Sequence, residues 1–176
     1  MSELRTNRIV PRDGIPSGSV GGIIQIKSKH ITDYFTTNSG TYVDVTGHSI
    51  SITPTRADSK ILIQYWINWM HAGGNDTAAT LRLLRNGTVI GSDSGNPMND
   101  DRMGMITMYM AAQAHFSVSG FNYLDSPGTT SALTYKTQLH LDSTSFTGGN
   151  IWGVNRYPAL DNYRGSSSIT AYEVSG

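Results

Sequence analysis

Residues 60–70 read Lys60-Ile-Leu-Ile-Gln-Tyr-Trp-Ile-Asn-Trp-Met70, and this stretch decides the fold. Ile61, Ile63, Tyr65, Ile67 and Trp69 share one side of a period-2 repeat, while Leu62, Gln64, Trp66, Asn68 and Met70 share the other. A helix would scatter the first set around its circumference. The pattern predicts a central β-strand with one dry face and one mixed face, and the mixed face suits a partner.

Working outward, Leu81–Arg85, the dipeptide Asn86-Gly87 and Thr88–Ile90 form a hairpin signal, because a type I′ turn needs φ > 0 at both central residues. Residues 106–119 predict one strand with Met108, Met110, Phe116 and Val118 on its apolar side, and Gly120 then breaks the phase, as a β-bulge would. Residues 133–141 place Leu133, Tyr135, Leu139 and Leu141 inward and Lys136, Gln138 and His140 outward. Residues 166–174 supply a last strand. Some ten short strands without intervening helices cannot build a parallel sheet, which needs crossovers. The expected fold is all-β: an antiparallel two-sheet jelly-roll sandwich over residues 23–176, preceded by an extended N-terminal arm over residues 1–22.

Composition agrees. The 176 residues hold 20 Ser and 19 Thr but only 2 Glu and 4 Lys, a poor supply of helix formers and a good one for half-buried pleated surfaces. Lys and Arg number 13 against 13 Asp and Glu, so no net charge draws the chain to nucleic acid. Cysteine is absent, which excludes disulfide frameworks, thiolate nucleophiles and zinc ribbons. No window approaches the roughly 20 apolar residues of a membrane helix, and the charged start lacks a signal-peptide profile, so membrane insertion and export are not expected.

The arm carries turn chemistry at Pro11–Gly14, yet it also carries apolar Leu4, Ile9, Val10 and Ile15 beside Arg5, Arg8 and Arg12. A free tail has little use for such side chains. They read as attachment residues that dock on a sister subunit or a larger assembly.

Taken together, TNRIVPRDGIPSG (residues 6–18), GGIIQIK (21–27), TYVDVTGHSISITPTRADSKILIQYWINW (41–69), the LRLLRNGTVIG hairpin and SSITAYEV (167–174) resemble the small virion structural, tail-fibre-like proteins of tailed marine phages and cyanophages. The resemblance covers nearly the whole chain. It implies a jelly roll similar to the tumour necrosis factor and complement globular-head type, a homotrimer, and attachment through the arm to other virion proteins of tail or capsid. A virion location follows, as a short tail appendage in contact with a host surface glycan or protein, or alternatively as a capsid decoration protein. Trp66, Tyr135 and Tyr172 are the expected subunit-interface residues, since large amphipathic rings concentrate at interface cores; Tyr65 and Trp69 belong to the core. The loops 70–79 and 92–105 are the expected contact surfaces, through His71, Asn75, Asp76, Met98, Asn99, Asp100 and Asp101.

Catalytic signals are thin. The histidines are scattered singly, and His115 and His140 sit on polar strand faces where a surface histidine is ordinary. The oxygen-rich clusters at 73–76 and 96–101 do not match the EF-hand spacing and read as turns. A glycosidase needs two carboxyls in a cleft with one pKa raised; Asp100 and Asp101 are adjacent in a loop, and Glu173 is the only carboxylate on a buried strand. Phosphate-cradling glycine motifs are absent. No enzyme activity, cofactor, metal or nucleic acid is expected.

Overall fold

The computed structural model describes residues 22–72, 77–91, 104–110, 115–141, 151–155 and 164–176. Eleven strands run through them: β1 (Ile23–Ile31), β2 (Phe35–Thr37), β3 (Val43–Ile52), β4 (Lys60–Ala72), β5 (Thr77–Arg85), β6 (Thr88–Ile90), β7 (Ile106–Met110), β8 (His115–Asp125), β9 (Leu133–Leu141), β10 (Ile151–Val154) and β11 (Ser167–Val174). The spine is β4. One edge pairs with β8 over Ile61–His71; the other pairs first with β11, from Lys60 to Trp66, and then with β10, from Trp69 to Ala72. Outside these lie β1 and β2, so the first sheet is four rows wide. In the second sheet β3, β9 and β5 lie side by side, and β7 and β6 share the far edge of β5.

With the short strands β2, β6 and β10 set aside, the first remaining strand pairs with the last (β1 with β11), the second with the seventh (β3 with β9), the third with the sixth (β4 with β8) and the fourth with the fifth (β5 with β7), every pair antiparallel. The pairs alternate between two sheets. That wrapping is a jelly roll, as the strand count and patterning predict.

Between the sheets lie Ile61, Ile63, Tyr65, Ile67 and Trp69, all fully buried, against Leu81, Leu83, Tyr135 and Leu139. Trp69 meets Trp152 edge to face at 5.7 Å and 84°, the geometry that aromatic quadrupoles favour. The hairpin forms as its sequence requires, with φ of 49° at Asn86 and 88° at Gly87.

Several expectations change. Residues 106–119 are not one strand: β7 belongs to the second sheet and β8 to the first. Gly120 is no bulge, because β8 keeps unbroken register against β4 from His115 to Asp125. Phe116 and Val118 consequently point out of the sandwich. Tyr135, expected at a subunit interface, is fully buried; its hydroxyl donates to Asp125 Oδ2 at 2.7 Å, and Asp125 also accepts from Arg85 at 2.8 and 2.9 Å. This trio ties the end of β8 to the second sheet. Burial, and then the hydrogen bond to Asp125, pushes the Tyr135 hydroxyl far above its ordinary pKa. His71, expected in a contact loop, lies within β4, buried with its ring 5.2 Å from that of Trp152. His140 is buried too, tilted against Tyr42 at 5.0 Å.

Where β11 gives way to β10 alongside β4, Asn155 closes the gap in a left-handed conformation (φ 62°). Its amide donates to the carbonyls of Ile31 and Asp33, both at 3.0 Å, and its N–H to Asn68 O at 3.0 Å. It accepts from Ser167 Oγ at 2.6 Å and from Gly165 N at 3.1 Å. One buried residue thus joins four segments, which satisfies the backbone groups that the divided row would leave unpaired.

Candidate functional site

Alternation in the first sheet sends Leu62, Gln64, Trp66 and Asn68 of β4 outward, and the strand register sets beside them Leu124, Asn122, Gly120, Val118 and Phe116 of β8, Tyr172, Thr170 and Ser168 of β11, and Ile26, Ser28 and His30 of β1. Apart from His30, no position in this set is ionisable below the range of tyrosine. Five large apolar side chains here are half exposed or nearly so: Trp66 at 50%, Phe116 at 47%, Val118 at 63%, Leu124 at 51% and Ile26 at 54%. Isolated exposed leucines are ordinary on a protein surface; a contiguous set on one sheet face marks an interaction surface.

Trp66 is central, and its position depends on Gly120. A Cβ built at Gly120 would lie 2.7 Å from Trp66 Cε3 and 2.7 Å from the Tyr65 carbonyl oxygen. The indole therefore lies over the bare backbone of β8, an aromatic covering of a strand glycine. Tyr172 is half-buried on the same face, donating to Gln64 Oε1 at 3.3 Å. Of the three expected interface rings, the face brings together Trp66 and Tyr172 and excludes Tyr135. Phe116, Val118, Leu124 and Ile26 were missed by sequence reasoning. Along the outward phase of β8, Gly120 and Asn122 separate Phe116 and Val118 from Leu124, so alternation alone did not mark these residues as one face.

The attachment residues Leu4, Arg5, Arg8, Ile9, Val10, Arg12 and Ile15, and the loop residues Asn75, Asp76, Met98, Asn99, Asp100 and Asp101, lie outside the described residues. Met105, the last residue of the expected contact loop 92–105, packs partly buried against the core and donates its N–H to Leu81 O at 2.7 Å.

Glu173 is fully buried: Oε1 accepts from the Thr55 N–H and hydroxyl, both at 2.7 Å, and Oε2 accepts from Gln25 Nε2 at 2.6 Å. Burial alone would raise its pKa, but these hydrogen bonds outweigh it and hold the carboxyl at about 2. It is therefore an anion at neutral pH, the opposite of what a general acid requires. Among the described residues, no three His, Asp or Glu side chains converge as metal ligands would.

No protein-family model matches the chain, and no curated protein matches it. Among solved structures it is similar to the VP2 protein of infectious bursal disease virus. In derived T=1 particles of a VP2 mutant the identity is 13% over 93% of this chain and 40% of that one, with a TM-score of 0.39. In the T13 viral particle of that virus the identity is 14% over 88% and 36%, with a TM-score of 0.40. This chain spans about two fifths of the length of those proteins.

Proposed function

We propose that the protein is a virion structural component, a homotrimeric jelly-roll knob whose subunits meet through the outer face of the first sheet and which is carried on the particle by residues 1–22. The observation that supports this best is the exposure of Trp66, Phe116, Val118, Leu124 and Ile26 on one face with no Asp, Glu, Lys or Arg among the central positions. An uncharged face meets a copy of itself without like-charge repulsion. A half-exposed tryptophan lying on a glycine is the kind of rigid aromatic anchor that dominates association energies. The three-fold symmetry, the arm's role and the virion location rest on the sequence resemblance, and contact with a host surface belongs to the same reading.

Light scattering tests the assembly. The full chain should give a mass near three times 19.1 kDa, a chain starting at Ile23 should give three times its own smaller mass, and Trp66→Asp should give the single-chain mass. A single-chain mass for both unsubstituted forms would overturn the knob. Deleting residues 1–22 should release the protein from tails; loss of head stability instead would make it a capsid decoration protein.

A further inference from the structure

The hairpin that joins β5 to β6 turns at Asn86-Gly87, the one Asn-Gly pair in the chain. Both residues are exposed, with φ of 49° and 88°, and a Cβ built at Gly87 would meet nothing within 4 Å. Water therefore reaches the turn. Its asparagine is nevertheless held: the Asn86 N–H donates to Thr134 O at 2.9 Å, and Oδ1 accepts from the Thr134 N–H at 2.8 Å. These bonds are clamped from both sides. Arg85, just before Asn86, donates to the Asp125 carboxylate at 2.8 and 2.9 Å, and Tyr135, just after Thr134, donates to it at 2.7 Å.

We propose that Asn86 is a site of spontaneous deamidation by cyclisation onto the Gly87 nitrogen, and that its bonds to Thr134 guard it while the sandwich is closed. The Gly87 nitrogen gives its proton to hydroxide and bonds to Asn86 Cγ; the Cγ–Nδ2 bond breaks, and ammonia leaves with a proton from water, which restores the hydroxide. One water then opens the resulting succinimide at either carbonyl, giving aspartate or isoaspartate. In all, water enters, ammonia departs and nothing is oxidised or reduced. Glycine suits the step because it carries no side chain to shield the attacking nitrogen. Ring closure requires the Asn86 amide to leave Thr134 and swing onto that nitrogen while the backbone between them rotates. A two-residue turn with both conformations set allows neither as long as the Thr134 bonds hold. The two products differ in effect. An aspartate side chain still accepts from the Thr134 N–H and tolerates the left-handed turn, whereas isoaspartate adds a methylene to the backbone of a turn whose length sets the β5–β6 register. Opening of this turn is thus converted into lasting loss of the hairpin, and the chemistry does not depend on assembly.

The test is peptide mass spectrometry with isoaspartate detection on the full chain held at mildly alkaline pH. In urea above the unfolding transition, the peptide carrying Asn86 should deamidate faster than any other asparagine peptide and should contain isoaspartate. Without urea the rate should fall roughly tenfold or more, the factor that hydrogen bonds of ordinary net strength supply. Thr134→Pro removes the N–H that holds Oδ1 and should raise the folded rate severalfold, with circular dichroism reporting that the variant is folded. Should it not fold, Asp125→Asn, which loosens the clamp on both strands, should raise the rate in its place. Gly120→Ala, in the other sheet, should leave the rate unchanged. Three outcomes overturn the proposal: no isoaspartate forms at Asn86 in urea, the folded and unfolded chains deamidate equally fast, or Gly120→Ala raises the rate as much as the change at Thr134 or Asp125.

Discussion

His48 and Glu173 are both buried, and their environments push in the same direction through different physics. His48 Nδ1 is hydrogen-bonded to the Tyr65 hydroxyl, while Nε2 has no hydrogen-bond partner among the described residues. Burial first, and the nearby charge of Lys29 second, lower its pKa from 6.5 to about 4. The folded state holds it neutral, whereas the unfolded chain takes up a proton near 6.5. Stability is therefore complete above pH 6.5 and falls as pH drops toward 4, by about 3 kcal/mol in all. Glu173, held at about 2 against an ordinary 4.5, adds a second loss between pH 4.5 and 2. Urea unfolding followed against pH should show both windows. His48→Gln should be less stable at pH 7 but lose less stability than the unsubstituted chain between 6.5 and 4.5, and Glu173→Gln should lose less than the unsubstituted chain between 4.5 and 2. Equal stability of the unsubstituted chain at pH 7 and pH 4 would refute the His48 assignment.

Strands whose outer face is polar could be read from sequence, and strands whose outer face is apolar could not. Alternation identified β4, β9 and the β5–β6 hairpin because one phase was dry and the other wet, leaving a single way to orient them. In β8 the apolar residues change phase: Phe116 and Val118 point out, while Phe121 and Tyr123 pack on the core, with half-buried Ser117 and Ser119 in the inward phase. A period-2 pattern gives the alternation but not its sign when both faces hold apolar groups, so an unbroken strand looked like one interrupted at Gly120. His71 and Tyr135 misled for a related reason, since amphipathic rings suit a core and an interface equally until their partners are known. Of the candidate face, Trp66 and Tyr172 were legible; the β8 residues depended on long-range register that no local pattern carries. Gly120→Ala tests the register. The added methyl would press on both the Trp66 ring and the Tyr65 carbonyl oxygen, so it should cost about 1–3 kcal/mol and shift the emission of Trp66, the half-exposed one of the three tryptophans. Asn122→Ala, on the same face of β8, should do neither. Equal melting temperatures for the two variants would contradict the close packing of indole on glycine.

The whole sandwich has two unlike outer faces. On the second sheet, Asp44 accepts from Lys136 Nζ and Gln138 Nε2, each at 2.7 Å, and Arg82 donates to Gln138 Oε1 at 2.9 and 2.6 Å with its guanidinium 3.6 Å above the Tyr42 ring. The ion pair to Lys136 and the bond to Gln138 keep the Asp44 carboxyl below its usual range. Such exposed pairs add little stability, but they keep that face hydrated, and covering it would cost solvation that apolar contact does not return. The first sheet presents the reverse: an apolar row from Ile26 to Leu124 whose hydration is unfavourable. The proposed ring of subunits, with first sheets turned inward and second sheets outward, would satisfy both and would make folding and assembly one equilibrium. The melting temperature should therefore rise with protein concentration. Trp66→Asp should abolish that rise, because it places a charge where copies meet, while Asp44→Ala on the opposite face should preserve it. A melting temperature constant over a roughly hundredfold concentration range would mean that the apolar face is covered by something other than a second copy of this chain.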